Sequence, residues 1–122
     1  EQTLSRWSTD KWKQAGEAFH HAIDATCRVR GKHAFRKSAG TQQRKPINRG
    51  LFEAELIVFG ALGSESLLHA VAQKAKVEEL FATALSENKE LIQSLLYGTG
   101  SAESSNARIF ALNGIVEEAV HA

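Results

Sequence analysis

The 122-residue chain has no methionine, one cysteine (Cys27) and one proline (Pro46). A single cysteine excludes an internal disulfide and any zinc module built on several cysteines, and it fits a reducing compartment. One proline in the whole chain leaves room for long helices. Long apolar runs are missing too. The longest, Leu56 to Gly63, covers eight residues, whereas a membrane-spanning helix needs about 20. No charged segment followed by an apolar one marks a secretion signal. With Glu1 in first place and no methionine anywhere, the chain is expected to be a piece of a longer cytoplasmic protein. What is present, 43% hydrophobic and 24% charged residues, matches an ordinary globular domain and argues against disorder, collagen and a coiled coil. The length suits a single domain over residues 1–122.

The net charge of +1 hides a strong asymmetry. Between Asp24 and Glu53 no acid occurs, while Arg28, Arg30, Lys32, Arg36, Lys37, Arg44, Lys45 and Arg49 all fall there. The other seven basic residues face all fourteen acids. A basic patch on an acidic remainder suggests an anionic partner: nucleic acid, a nucleotide, or an acidic surface of the same parent protein.

Apolar periodicity predicts an all-α fold of about five helices, an irregular bundle with one long basic loop. The first helix runs from Thr9 or Asp10 to Arg30, with Trp12, Ala15, Phe19, Ala22, Ile23 and Cys27 as its apolar stripe and Gly31 closing it. Leu4 and Trp7 suggest an earlier helical turn. Residues 31–47 read as loop, with Ser38-Ala39-Gly40-Thr41 and Pro46 as turn signals. Asn48 caps a second helix reaching about Leu62. A third runs from Ser64 to about Leu85, its apolar phase slipping between Lys74 and Val77. The fourth spans Asn88 to Tyr97, Gly98 to Ser101 form a turn, and a last helix opens at Ser104 or Ser105. Gly114 inside it costs about 1 kcal/mol of helix propensity and suggests close approach of a neighbour. The expected core includes Phe19, Phe52, Leu56, Phe59, Leu80, Phe81, Leu95, Ile109 and Leu112.

No complete active site is visible. His20, Asp24 and Cys27 share one helix face by spacing, but a structural zinc site wants four ligands, and Cys27 reads as a core residue. Gly98-Thr99-Gly100-Ser101 lacks the lysine and the spacing of a phosphate-binding loop. Glu78-Glu79 and Glu117-Glu118 are adjacent pairs, so each pair points to two sides of a helix. The chain is therefore expected to hold no catalytic residue, no metal and no cofactor. The segment from Arg44 to Glu53 differs, because basic side chains converge on a helix N-terminus, where free N–H groups and the dipole favour an anion. Arg36, Arg44, Lys45 and Arg49 are the candidate phosphate contacts. The competing use is internal, with Arg49 paired to Glu53 and Arg36 or Arg44 to Glu53 or Glu55.

Ala34-Phe35-Arg36-Lys37 followed by Arg44-Lys45-Pro46-Ile47-Asn48-Arg49-Gly50-Leu51-Phe52-Glu53 resembles the helical region of GmrSD-type proteins, which carry a ParB-like N-terminal domain. Tyr97-Gly98-Thr99-Gly100 followed by Asn106-Ala107-Arg108-Ile109-Phe110 is similar to that family's turn and Arg-containing last helix. The resemblance spans about Phe19 to Val120, and Phe35, Arg36, Arg44, Asn48, Arg49, Phe52, Glu53, Thr99 and Arg108 match its pattern. It implies a bacterial or phage-derived restriction or anti-phage defence protein. The parent would be a nucleotide-dependent nuclease, with its ParB-like domain and DNA as partners. The family's Asp-Gly-Gln-Gln-Arg motif is absent. Thr41-Gln42-Gln43-Arg44 repeats only its last three letters, and no nuclease motif is present, so no catalytic residue carries over. Two functions are therefore expected in competition. One is a helical accessory domain contacting DNA phosphates. The other is a structural or oligomerisation module that binds an acidic protein.

Overall fold

The computed structural model describes residues 8–96 and 101–122. The described part is all-α, with six helices: α1 (Thr9–Arg30), α2 (Arg49–Gly60), α3 (Ser64–Ala72), α4 (Lys74–Glu87), α5 (Lys89–Leu96) and α6 (Ala102–Val120). The count is six rather than five because the expected third helix is two. It breaks at Gln73, whose φ of −104° and ψ of 25° leave the helical region. The break falls one residue before the segment where the apolar phase slips. Among the described residues the only β pairing is a lone antiparallel bridge, Arg36 to Ile47. The turn expected at Gly98 and the helical turn expected around Leu4 and Trp7 lie outside the described residues.

Side chains start most of these helices, by accepting a hydrogen bond from a first-turn N–H that has no partner within the helix. Ser8 Oγ accepts from Lys11 N–H at 3.2 Å, Asn48 Oδ1 from Leu51 at 3.0 Å, Asn88 Oδ1 from Leu91 at 3.0 Å and Ser101 Oγ from Ser104 at 3.1 Å. At the other end of α1, Gly31 takes φ +58° and returns its N–H to the Cys27 carbonyl. That left-handed conformation is open to glycine at little cost.

Helix α1 packs on α2, α2 on α6, and α6 on α4 and α5. The core is Leu51, Ala54, Val58 and Phe59 of α2, Val77 and Phe81 of α4, Leu91 and Leu95 of α5, and Leu112, Ile115 and Val116 of α6. Phe52, Leu56, Leu80 and Ile109 are half-buried around it.

Of the expected stripe of α1, only Ala22 is buried and Ile23 half-buried. Phe19 is 49% exposed, and Trp12 and Cys27 are exposed too. The buried face is Ala22, Ala25, Thr26, Val29 and Arg30. Small residues prevail because α1 and α2 nearly touch. A Cβ on Gly60 would stand 2.8 Å from the Ala22 Cβ. A large apolar side chain has no room at that crossing, so the bulky members of α1 lie outside it. The Thr26 hydroxyl satisfies itself by donating to the Ala22 carbonyl at 2.8 Å.

Candidate nucleic-acid interface

The basic loop is a tied strap. After α1 a single tight turn (Gly31–His33) leads into residues 34–48. These fold back on themselves so that Arg36 pairs with Ile47. His33 is buried and anchors the near end. Its Nε2 lies 3.0 Å from the Gly40 carbonyl, which can only accept, so Nε2 carries the proton. Its Nδ1 then accepts from the Ser38 hydroxyl at 2.7 Å, and Ser38 Oγ accepts the Lys45 N–H at 3.3 Å.

Arg30 anchors the centre, at 2% exposure. All three of its guanidinium nitrogens have partners. Nε reaches Glu55 Oε1 at 3.4 Å. Nη1 takes both Glu78 oxygens at 2.8 and 2.7 Å, and Nη2 takes the strap carbonyls of Arg36 and Ser38 at 3.0 and 3.1 Å. The guanidinium also lies 3.8 Å from the Phe81 ring centroid, a favourable cation–π contact. One side chain thus clamps α1, α2, α4 and the strap. Glu78 adds a link of its own by accepting the Gly40 N–H at 3.1 Å.

Glu55 is fully buried. Its Oε1 accepts from Arg30 and from the Phe35 N–H at 2.9 Å, while Oε2 is buried with no hydrogen-bond partner. Burial drives its pKa from the ordinary 4.5 up to about 7, against the pull of the Arg30 charge and of the Phe35 N–H. Glu78 holds Arg30 in the short bidentate pair, and its own negative charge pushes the Glu55 pKa up further. A proton on Oε2 leaves the cluster neutral, as one guanidinium against one carboxylate.

Phe35 sits at φ +66°, a strained position for a residue with a side chain. Three contacts hold it there. Its N–H goes to Glu55, its carbonyl accepts from Asn48 at 2.8 Å, and its ring packs on Phe52 at 4.8 Å. The strap therefore enters α2 with a set geometry.

On this scaffold the four candidate cations divide. Arg36 is half-buried, and its Nη1 donates to the Lys45 carbonyl at 2.8 Å, which brings those two residues together. Arg44, Lys45 and Arg49 are exposed. Among the described residues none of the four has a carboxylate within ion-pairing distance. The internal pairs expected for Arg36, Arg44 and Arg49 with Glu53 or Glu55 are thus not formed, and Arg30 occupies Glu55 instead. A cleft of about 320 Å³, lined by Lys37, Gln42, Gln43, Lys45 and Ser86, opens between strap and α4. Beneath the first turn of α2 lies the buried guanidinium of Arg108, which donates to the Ser94 carbonyl at 2.8 Å. A Cβ on Gly50 would come within 3.1 Å of it, so the glycine admits the arginine. Of the residues on which the expected resemblance rests, Phe35 and Arg108 are buried and Thr99 lies outside the described residues.

His20, Asp24 and Cys27 are all exposed on α1, and no group of three His, Cys, Asp or Glu side chains among the described residues is placed to hold a metal. No described helix is long and apolar enough to cross a membrane. The reading by periodicity missed the Arg30–Glu55–Glu78 cluster. A signal was present, because Glu55 stands in the apolar stripe of α2 between Leu51 and Phe59. Comparison with protein-family models, with curated proteins and with solved structures finds no match to this chain.

Proposed function

We propose that this chain is a helical accessory domain of a cytoplasmic, GmrSD-like DNA-targeting defence protein, and that its strap contacts DNA phosphates. Support for the kinship is the strap-to-α2 motif together with the Tyr97–Gly100 and Asn106–Phe110 segments of the sequence. Support for phosphate contact is one observation: Arg44 and Lys45 on an anchored strap and Arg49 at the start of α2 stand exposed without a carboxylate partner among the described residues. Exposed cations left unpaired by their own fold are available to an external anion. The N-terminus of α2 adds to the positive potential there. Arg36, fixed through the Lys45 carbonyl, completes the set. Few aromatics stand near, so base stacking contributes little and sequence selectivity is low.

The test is an anisotropy titration of two unrelated DNA duplexes over a range of salt. Four phosphates neutralised give a slope of about −3 to −4 in log affinity against log salt. Arg44→Ala is expected to weaken both duplexes alike and to reduce the slope by about 1. Salt-independent binding or none would reject the reading. So would an Arg44→Ala and Arg49→Ala pair that lowers the melting temperature while DNA affinity stays at its wild-type value. The kinship has a separate test. The reading frame upstream of Glu1 is expected to encode a strand-rich segment with Asp-Gly-Gln-Gln-Arg.

A further inference from the structure

Two lysines of the strap meet over an apolar hollow. Lys37 and Lys45 line a cavity of about 120 Å³ whose remaining wall is Leu85 of α4 with Ile92, Leu95 and Leu96 of α5. The cavity continues into the cleft between strap and α4, since Lys37, Lys45 and Leu85 belong to both. Lys37 is half-buried. Among the described residues neither lysine side chain has a hydrogen bond or an ion pair. Their backbones, by contrast, are fixed. Lys37 lies between the two carbonyls that Arg30 holds. Lys45 gives its N–H to Ser38 Oγ, and its carbonyl accepts from Arg36.

Two ammonium groups at one small cavity repel each other, and the apolar wall denies them solvation on that side. An anion between them relieves both costs. The wall itself gains by contact with hydrocarbon, which leaves water on binding. We propose that this pocket binds a carboxylate on a short hydrocarbon body, with its head between Lys37 and Lys45 and its body against Leu85, Ile92, Leu95 and Leu96. A cavity of about 150 Å³ takes benzene, so this one takes a body of about four or five carbons. A DNA backbone offers no such body. The inference therefore does not rest on the DNA reading, and Arg44 and Arg49 line neither cavity.

An amide NMR titration of the full chain with hexanoate reads it directly. Saturable shifts centred on Lys37, Lys45, Leu85 and Ile92 are expected. Acetate keeps the head and loses the body, so it should bind about a hundredfold more weakly, the worth of four buried methylenes. Hexanol loses the head and Lys37→Gln loses one ammonium, and each should weaken binding about tenfold or more. Lys37 makes no side-chain bond in the fold, so Lys37→Gln should melt with wild type. N-acetyl-leucine separates two sources of the same chemistry. Binding tighter than that of hexanoate assigns the pocket to the end of a peptide chain, and weaker binding assigns it to a free acid. Equal affinity for acetate and hexanoate overturns the inference, as do shifts that avoid the pocket or a Lys37→Gln chain that binds hexanoate as wild type does. A duplex titration that fails while hexanoate binds rejects the DNA reading alone.

Discussion

Replacing Arg30 by alanine is expected to lower the unfolding free energy by about 3–5 kcal/mol, the usual cost of removing one partner from a buried ion pair. The loss is large because of what remains. Glu78 loses its bidentate partner, Glu55 loses the Nε contact, and the carbonyls of Arg36 and Ser38 lose their donor. The Phe81 ring also faces a cavity where the guanidinium was. Such a change consumes much of the roughly 5–15 kcal/mol that holds a domain together. Arg30→Lys should rescue little, since one ammonium cannot present five donors in a planar fork to four groups. Urea unfolding measures both variants, and an Arg30→Ala chain within about 1 kcal/mol of wild type would show that the cluster does not clamp the fold. Loosening the strap should also weaken phosphate contact, although Arg30 itself reaches no solvent.

Stability should fall as pH rises from about 4.5 to 7. The sign follows from Glu55. Unfolded, its carboxyl releases its proton near the ordinary 4.5, while in the folded chain burial holds the proton until about 7. Between those values the folded state binds more protons than the unfolded state, so each step up in pH favours unfolding. The stabilisation is complete below about pH 4.5 and gone above about 7. Over the window the change approaches about 3 kcal/mol, since each tenfold difference in proton affinity between the folded and unfolded chain corresponds to about 1.4 kcal/mol. Glu55→Gln copies the protonated shape and keeps an acceptor for Arg30 and the Phe35 N–H. Its stability should match wild type at pH 4.5 and exceed it by about 2–3 kcal/mol at pH 8. Urea midpoints at half-unit steps would show this. If wild type and Glu55→Gln run parallel across the window, the carboxyl is ionised throughout and Arg30 carries two full ion pairs.

The all-α class and most of the punctuation between helices were readable from local signals in the chain. Asn48, Gly31 and the phase slip near Lys74 are local signals. A cap is a hydrogen bond three residues long, a left-handed turn is a property of one residue, and a phase slip is counted along one helix. The basic loop was legible for the same reason, as a run of charges without turns of helix between them. Tertiary structure decided which face of α1 is buried and what the charges do. Phe19 looked like core because it repeats with Ala15 and Ala22, yet the crossing at Gly60 accepts only small residues there. Arg30 looked like a helix-end charge and Glu55 like a partner for nearby arginines. Their bond joins residues 25 positions apart, and the bond from Arg30 to Glu78 joins residues 48 apart. Periodicity sorts charges outward because an unpaired charge is costly to bury. That rule fails where the partner comes from another helix, since the pairing that offsets the cost exists only once the chain has folded.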